Sequence, residues 1–95
     1  MTDHEPGPVA TEIIARLTAA LAPSRLTLRN DSDRHRGHAG HDGSGESHFS
    51  LDIESAAFVG LSRVQRERLV QRALGELLRA QVHALQVRAR VPGEA

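Results

Sequence analysis

The chain has 95 residues, of which 39% are hydrophobic and 25% charged, and its twelve basic and twelve acidic residues cancel to a net charge of zero. This length predicts a single small domain, and the absence of cysteine excludes a disulfide framework and any thiolate metal site built by this chain alone. The neutral balance lacks the basic excess of dedicated nucleic-acid-binding proteins. No apolar stretch reaches transmembrane length and no secretory signal is evident, so we expect a cytoplasmic protein without membrane association.

The first third of the chain predicts a helix followed by a strand. Residues 1–8 are polar and contain Gly and Pro, which indicates a loose N-terminal segment, although Pro8 also suits the first position of a helix. Apolar residues then recur every fourth position until Pro23, as in an amphipathic helix. This apolar stripe consists of Val9, Ile13, Leu17 and Leu21. Alternating apolar residues at 25–29 predict the first strand.

A loop rich in Gly, Ser, Asp and His follows at residues 31–47 and carries His35, His38 and His41 at every third position. Its 17 residues exceed the length of about 12–15 beyond which loops in compact domains are usually functional or disordered. Imidazole is a common metal ligand that titrates near neutral pH, so the cluster indicates metal binding or proton sensing. A spacing of three in a flexible loop imposes no ligand geometry, however, and a solvated loop that binds nothing is the alternative.

The second half predicts a strand, a helical region and a last strand. Residues His48–Glu54 alternate, with Phe49 on the inward face, and Ser62 suits a helix N-cap. Apolar residues at 69–78 share one helix face. A straight helix would place two arginines, Arg63 and Arg66, inside that apolar arc. We therefore predict a short helix or turn at 62–67, a kink, and then the main helix. Alternation at 82–91 predicts the last strand, which Pro92 ends before a short tail at 92–95.

Two histidines fall on these predicted strands. His83 opens the last strand with the parity of Leu85 and Val87, which predicts a buried core imidazole, although a position at a strand end can still reach solvent. His48 has the opposite parity to Phe49, and we expect a structural or solvent-facing side chain. No catalytic constellation of nucleophile, base and acid is evident, so we expect no enzyme. The order of elements predicts an α+β fold with helices on one side of a three-stranded sheet.

Four segments together resemble the BolA-like family: NDSDRH at 30–35, ESHF at 46–49, FVGLSRVQRERLV at 58–70 and VHAL at 82–85. The resemblance implies a class II KH-like fold, α-β-β-α-α-β, with a mixed three-stranded sheet and helices packed on one face. It also implies one domain over residues 9–91, with 31–47 as its flexible His/Gly loop.

The resemblance further implies a free monomer that pairs with a monothiol glutaredoxin around a shared 2Fe–2S cluster. Carried over by position, His83 is one ligand, and His35 or His38 in the loop is the other. Because the chain has no cysteine, glutaredoxin and glutathione must bring the thiolates, and the isolated chain is expected to hold no cluster.

Two alternatives remain open from the sequence. One is a DNA-binding transcriptional regulator of the BolA type that uses the Arg-rich helical region, namely Arg63, Arg66 and Arg68. The other is a Zn²⁺ or Ni²⁺ binder that uses the loop by itself, through His38 and His41.

Overall fold

The structure is a computed structural model that describes residues 7–31 and 48–94. Three helices and three strands lie within these ranges, together with a 3₁₀ turn at Ala56–Phe58. The helices are α1 (Pro8–Leu21), α2 (Arg63–Leu74) and α3 (Glu76–Gln81). The strands are β1 (Arg25–Asn30), β2 (His48–Glu54) and β3 (Ala84–Arg90). In the part of the chain so described, no helix is long and apolar enough to cross a membrane.

The three strands form a mixed sheet with β2 in the centre. Strand β1 runs antiparallel to β2, and β3 runs parallel to it. Leu51 of β2 lies opposite Leu28 on one side and Val87 on the other, so their side chains share one face. The predicted α+β fold with a mixed sheet is confirmed. Because of the strand directions, the C-terminal end of β1 and the N-terminal ends of β2 and β3 meet at one end of the sheet.

The helices cover one face of this sheet and leave the other face to polar residues. On the covered face Phe49, Leu51 and Ile53 are at most 2% exposed, and Ile13 and Leu17 of α1 pack in the same core with no exposed surface. The period-two and period-four patterns therefore place their apolar residues as predicted. On the opposite face the residues of β1 and β3 are mostly polar and exposed, and those of β2 are polar and half-buried.

Helix α1 begins at Pro8, where a missing N–H costs no helical hydrogen bond, and it ends before Ala22 in the left-handed conformation. The last predicted strand is shorter than expected, because β3 begins at Ala84 and leaves Val82 and His83 outside it.

The predicted kink after residues 62–67 is wrong. Helix α2 continues from its cap to Leu74, and the break comes at Gly75, before α3. A reciprocal capping box starts α2, since the Ser62 hydroxyl accepts from the Gln65 N–H and the Gln65 side chain accepts from the Ser62 N–H. Arg63 does not disturb the apolar arc, because its side chain is 89% exposed.

Gly75 separates α2 from α3 with a backbone conformation that other residues rarely adopt, φ 56° and ψ −130°. A Cβ atom there would meet nothing closer than 3.8 Å, so the requirement for glycine lies in the backbone and not in the available space.

We expect Gly75→Ala to lower the free energy of unfolding by about 1–3 kcal/mol, the usual cost of a strained backbone conformation. Urea denaturation followed by far-UV circular dichroism measures this change. Unaltered stability would contradict the assignment of the break to this residue.

Candidate functional site

The end of the sheet at which β1 stops and β2 and β3 start brings together residues far apart in sequence. The Asp31 N–H donates to the His48 carbonyl oxygen at 2.7 Å, directly after β1. His48 lies opposite Ala84 in the parallel register, so His83 comes next to it. Residues 32–47 lie outside the described structure, but they connect Asp31 to His48, and both of their attachment points are therefore at this end.

Polar contacts hold the attachment points of this segment in place. The Asp31 carboxylate accepts from the Arg29 Nε at 2.8 Å and from the Ser50 hydroxyl. The Arg29 guanidinium also donates to Ser50 Oγ at 3.3 Å. These contacts tie the end of β1 to the start of β2 across the strand pair, so the first residues of β2 have a defined position relative to β1.

His83 is exposed, which corrects the expectation of a buried imidazole based on strand parity. The strand pairing begins one residue later, so the alternation of β3 does not apply to His83. Val82 enters the core instead and is only 7% exposed. The chain bends at His83, and its side chain is accessible to solvent as an intermolecular metal ligand requires.

His48 is the unexpected member of this end of the sheet. It is half-buried as the first residue of β2, and its ring centroid lies 5.8 Å from that of His83, with the two ring planes at 87°. This proximity was not predicted from the sequence, where the two histidines belong to separate strand patterns. Only the parallel pairing of β2 with β3 brings them together, and alternation within a single strand carries no signal for it.

The loop histidines His35, His38 and His41 lie outside the described residues. Over residues 7–31 and 48–94, no group of three or more His, Cys, Asp or Glu side chains could hold a metal ion. The described part of this site therefore offers two neighbouring imidazoles, which is an incomplete set of ligands for a metal centre.

The three candidate nucleic-acid-binding arginines of α2 have different environments. The Arg66 side chain is 17% exposed and donates to the carbonyl oxygens of Leu61 and Ala89 at 3.1 and 3.0 Å. Arg63 is exposed and lies 3.5 Å from the Glu67 carboxylate, and Arg68 is exposed. Arg66 is thus engaged within the domain, while the other two are open to solvent.

Arg66 also ties the C-terminal tail to α2. Its Nη1 lies 3.0 Å from Glu94 Oε1, and the same oxygen accepts from the Val91 N–H at 2.9 Å. The hydrogen bond from Val91, followed by that from Arg66, lowers the pKa of Glu94 below its ordinary value of 4.5.

We expect Glu94→Gln to destabilise the domain near neutral pH, because a carboxylate with a lowered pKa stabilises the folded state in its charged form. That contribution is present above about pH 4.5 and is lost as the pH falls through the lower folded pKa. Urea denaturation of both proteins from neutral pH to about pH 3 should show the difference shrinking to nothing. Glu76→Gln, at an exposed site, is the control for simple removal of a charge, and a difference that persisted in acid would contradict the assignment.

Residues 17–94 match the family model of the BolA-like proteins. The chain belongs to the BolA-like family. It is 48% identical over 88 residues to human BolA-like protein 1, a match that covers 93% of this chain and 61% of the human protein. The chain therefore spans about three fifths of the length of this relative.

Further relatives are similar in sequence or in structure. An uncharacterised protein from the cobS 5′ region of a Sinorhizobium species is 46% identical over 86 residues, covering 88% of this chain and 92% of the relative. The structure superposes on the BolA domain of SufE1 from Arabidopsis thaliana with a TM-score of 0.84 at 38% identity, covering 96% and 100% of the two chains. It superposes on mouse BolA1 with a TM-score of 0.78 at 44% identity, covering 97% and 72%.

Proposed function

We propose that this BolA-like chain is a non-enzymatic adaptor that binds a monothiol glutaredoxin and shares a 2Fe–2S cluster with it, in cluster assembly, trafficking or iron regulation. The observation that carries the proposal is the exposed His83 imidazole at the end of the sheet to which residues 32–47 attach. The partner and the cluster come from the family resemblance, and the geometry supports an accessible donor at the position that the resemblance assigns.

The donor set suits half of such a cluster. A 2Fe–2S cluster takes four ligands, which are usually cysteine thiolates, and in Rieske centres two imidazoles replace two of them on one iron. This chain has no cysteine, and its described donors at the site are imidazoles. Two histidines of this chain would serve one iron, and the glutaredoxin cysteine and glutathione would serve the other.

Within this proposal His83 is one ligand, and His35 or His38 is the second. The bound cluster supplies a redox-active, transferable iron–sulfur group whose reduction potential imidazole ligation raises. The chain's own residues present the donors. Because an imidazole ligates iron only in its neutral form, we expect cluster sharing to weaken as the pH falls.

We expect His83→Ala to abolish the spectral change that the wild-type chain produces in a cluster-loaded glutaredoxin. Visible absorption and circular dichroism report the ligands of the iron, so exchange of an imidazole for another ligand alters both spectra. His41→Ala removes a histidine that is not one of the proposed ligands and is the matched control. A wild-type spectrum and wild-type cluster lability with His83→Ala would overturn the proposal.

The same absorption and circular dichroism spectra identify the second ligand. We expect one of His35→Ala and His38→Ala to reproduce the spectrum of His83→Ala, and the other to behave like the wild type. If neither variant alters the spectrum, the second ligand does not come from these two residues.

DNA binding, the alternative function, draws less support from the described residues. Arg66 is engaged with the Ala89 carbonyl and Glu94, so two of the three candidate arginines, Arg63 and Arg68, are exposed, in a chain of zero net charge. A DNA-binding role predicts an affinity that falls steeply with salt, because each phosphate contact releases counterions. It also predicts that Arg68→Gln weakens binding more than His83→Ala, and fluorescence anisotropy with a duplex probe measures both effects.

A further inference from the structure

We propose that His48 is a positioning residue for His83: its ring packs against the His83 imidazole and favours the orientation in which that imidazole binds iron. The role of His83 as a ligand rests on the adaptor function proposed above. The packing of the two rings is a property of the free chain, so the two proposals can be tested separately. His48 itself is assigned no bond to iron.

The need for such a residue arises from the position of His83 just before β3. Pairing with β2 begins at Ala84, so the register of the sheet does not extend to His83. The His83 side chain is also exposed, and exposed side chains exchange between staggered rotamers within nanoseconds. A ligand with several rotamers loses that freedom when it binds a metal centre. A neighbour that already restricts the rotamers lowers this cost.

His48, in contrast, is held in place by its strand. It is the first residue of β2 and is half-buried. Its carbonyl oxygen accepts from the Asp31 N–H at 2.7 Å, and the next residue, Phe49, is only 2% exposed in the core. Its backbone also lies opposite Ala84, the residue that follows His83. The ring of His48 therefore has an anchored backbone beside the exposed imidazole.

The geometry of the two rings is that of a favourable aromatic contact. Their centroids are 5.8 Å apart and their planes meet at 87°, which is the T-shaped arrangement that aromatic pairs prefer. In this arrangement the edge of one ring lies against the face of the other. Rotation of either ring away from its position breaks the contact, so the contact favours one orientation of the His83 imidazole.

The same geometry explains why His48 is assigned a positioning role and not a bond to iron. The lone pair of an imidazole nitrogen lies in the plane of the ring, so a ring that turns its face to a neighbour directs neither nitrogen at it. The nitrogens of the two T-shaped rings therefore do not converge on one ion. Groups that orient a metal-binding histidine without touching the metal are a general feature of metal sites, and their loss weakens metal binding.

The first test uses the free chain and NMR spectroscopy. Three-bond couplings measure the χ1 rotamer populations of His83, and NOEs between the two rings measure their contact. We expect one dominant rotamer and ring-to-ring NOEs in the wild type, and averaged couplings in His48→Ala. His48→Phe supplies an aromatic ring that cannot bind iron, and it should retain the dominant rotamer. Gln86→Ala, an exposed change in β3 on the same face of the sheet, is the control and should behave like the wild type.

The second test measures how fast a chelator removes the cluster from the complex of this chain with a cluster-loaded glutaredoxin. We expect removal to be about twofold to tenfold faster with His48→Ala than with the wild type, the range that loss of one aromatic contact predicts. His48→Phe should restore the wild-type rate. Both variants should keep the absorption and circular dichroism spectra of the wild-type complex, because both keep the ligands, whereas His83→Ala should lose them.

Because His48 is half-buried, far-UV circular dichroism should first establish that each variant is folded. His48→Asn, which keeps a polar side chain but has no aromatic ring, takes the place of His48→Ala if the latter does not fold. The expected results for the two variants are the same.

Three results would overturn the proposal. One is a wild-type distribution of His83 rotamers in His48→Ala. Another is a cluster that is removed as fast with His48→Phe as with His48→Ala, because packing alone would then give no rescue. The third is loss of the cluster spectrum in His48→Phe, which would make His48 a ligand. Failure of the wild type to share a cluster would overturn the adaptor function instead, and the couplings of the free chain would still decide whether His48 orients His83.

Discussion

The pairing of β2 with a strand on each side is the constraint on which the rest of the structure depends. Its alternating side chains contribute Phe49, Leu51 and Ile53 to the core beneath the helices. Its backbone sets the register of β1 and β3 at the same time. A slip of one residue on either side would move polar side chains into the core, and the cost of burying them keeps all three strands in one alignment.

That alignment also creates the site. Because β2 runs antiparallel to β1 and parallel to β3, the C-terminal end of β1 and the N-terminal end of β3 lie at the same end of the sheet. The two attachment points of residues 32–47 and the exposed His83 therefore lie together, although some fifty residues separate Asp31 from His83 in the chain. A buried core residue adjoins each of the two histidines in sequence, Phe49 after His48 and Val82 before His83.

Hydrogen bonds of Arg66 explain why α2 is a continuous helix although a charged residue falls in its apolar arc. The helical periodicity places Arg66 inside the apolar arc of α2, and its guanidinium donates to two carbonyl oxygens and to Glu94. A partly buried cation with its donors satisfied is compatible with a continuous helix, because the cost of burial falls on unpaired groups. The predicted kink failed for this reason. The periodicity distinguishes apolar from charged residues, but it does not show which charged residues find partners.

Much of the fold was predictable from local pattern. The strand β2 and the helix from Pro8 to the residues before Pro23 follow from alternation, from apolar recurrence and from proline, all of which act over a few residues. The Ser62 cap was predictable in the same way. The His83 environment was not, because it depends on where the pairing of β3 with β2 begins, and residues far apart in the sequence decide that starting point.

The amino-acid sequence by itself therefore determined the type and order of the elements, the apolar faces, and the absence of cysteine thiolates from the chain. Only the tertiary structure decided that α2 continues to Leu74, that Arg66 is engaged within the domain, and that His48 lies beside His83. The physical reason is the range of the forces involved. Helix and strand patterns arise from neighbours along the chain, whereas sheet register and the pairing of charges arise from contacts that exist only after the chain has folded.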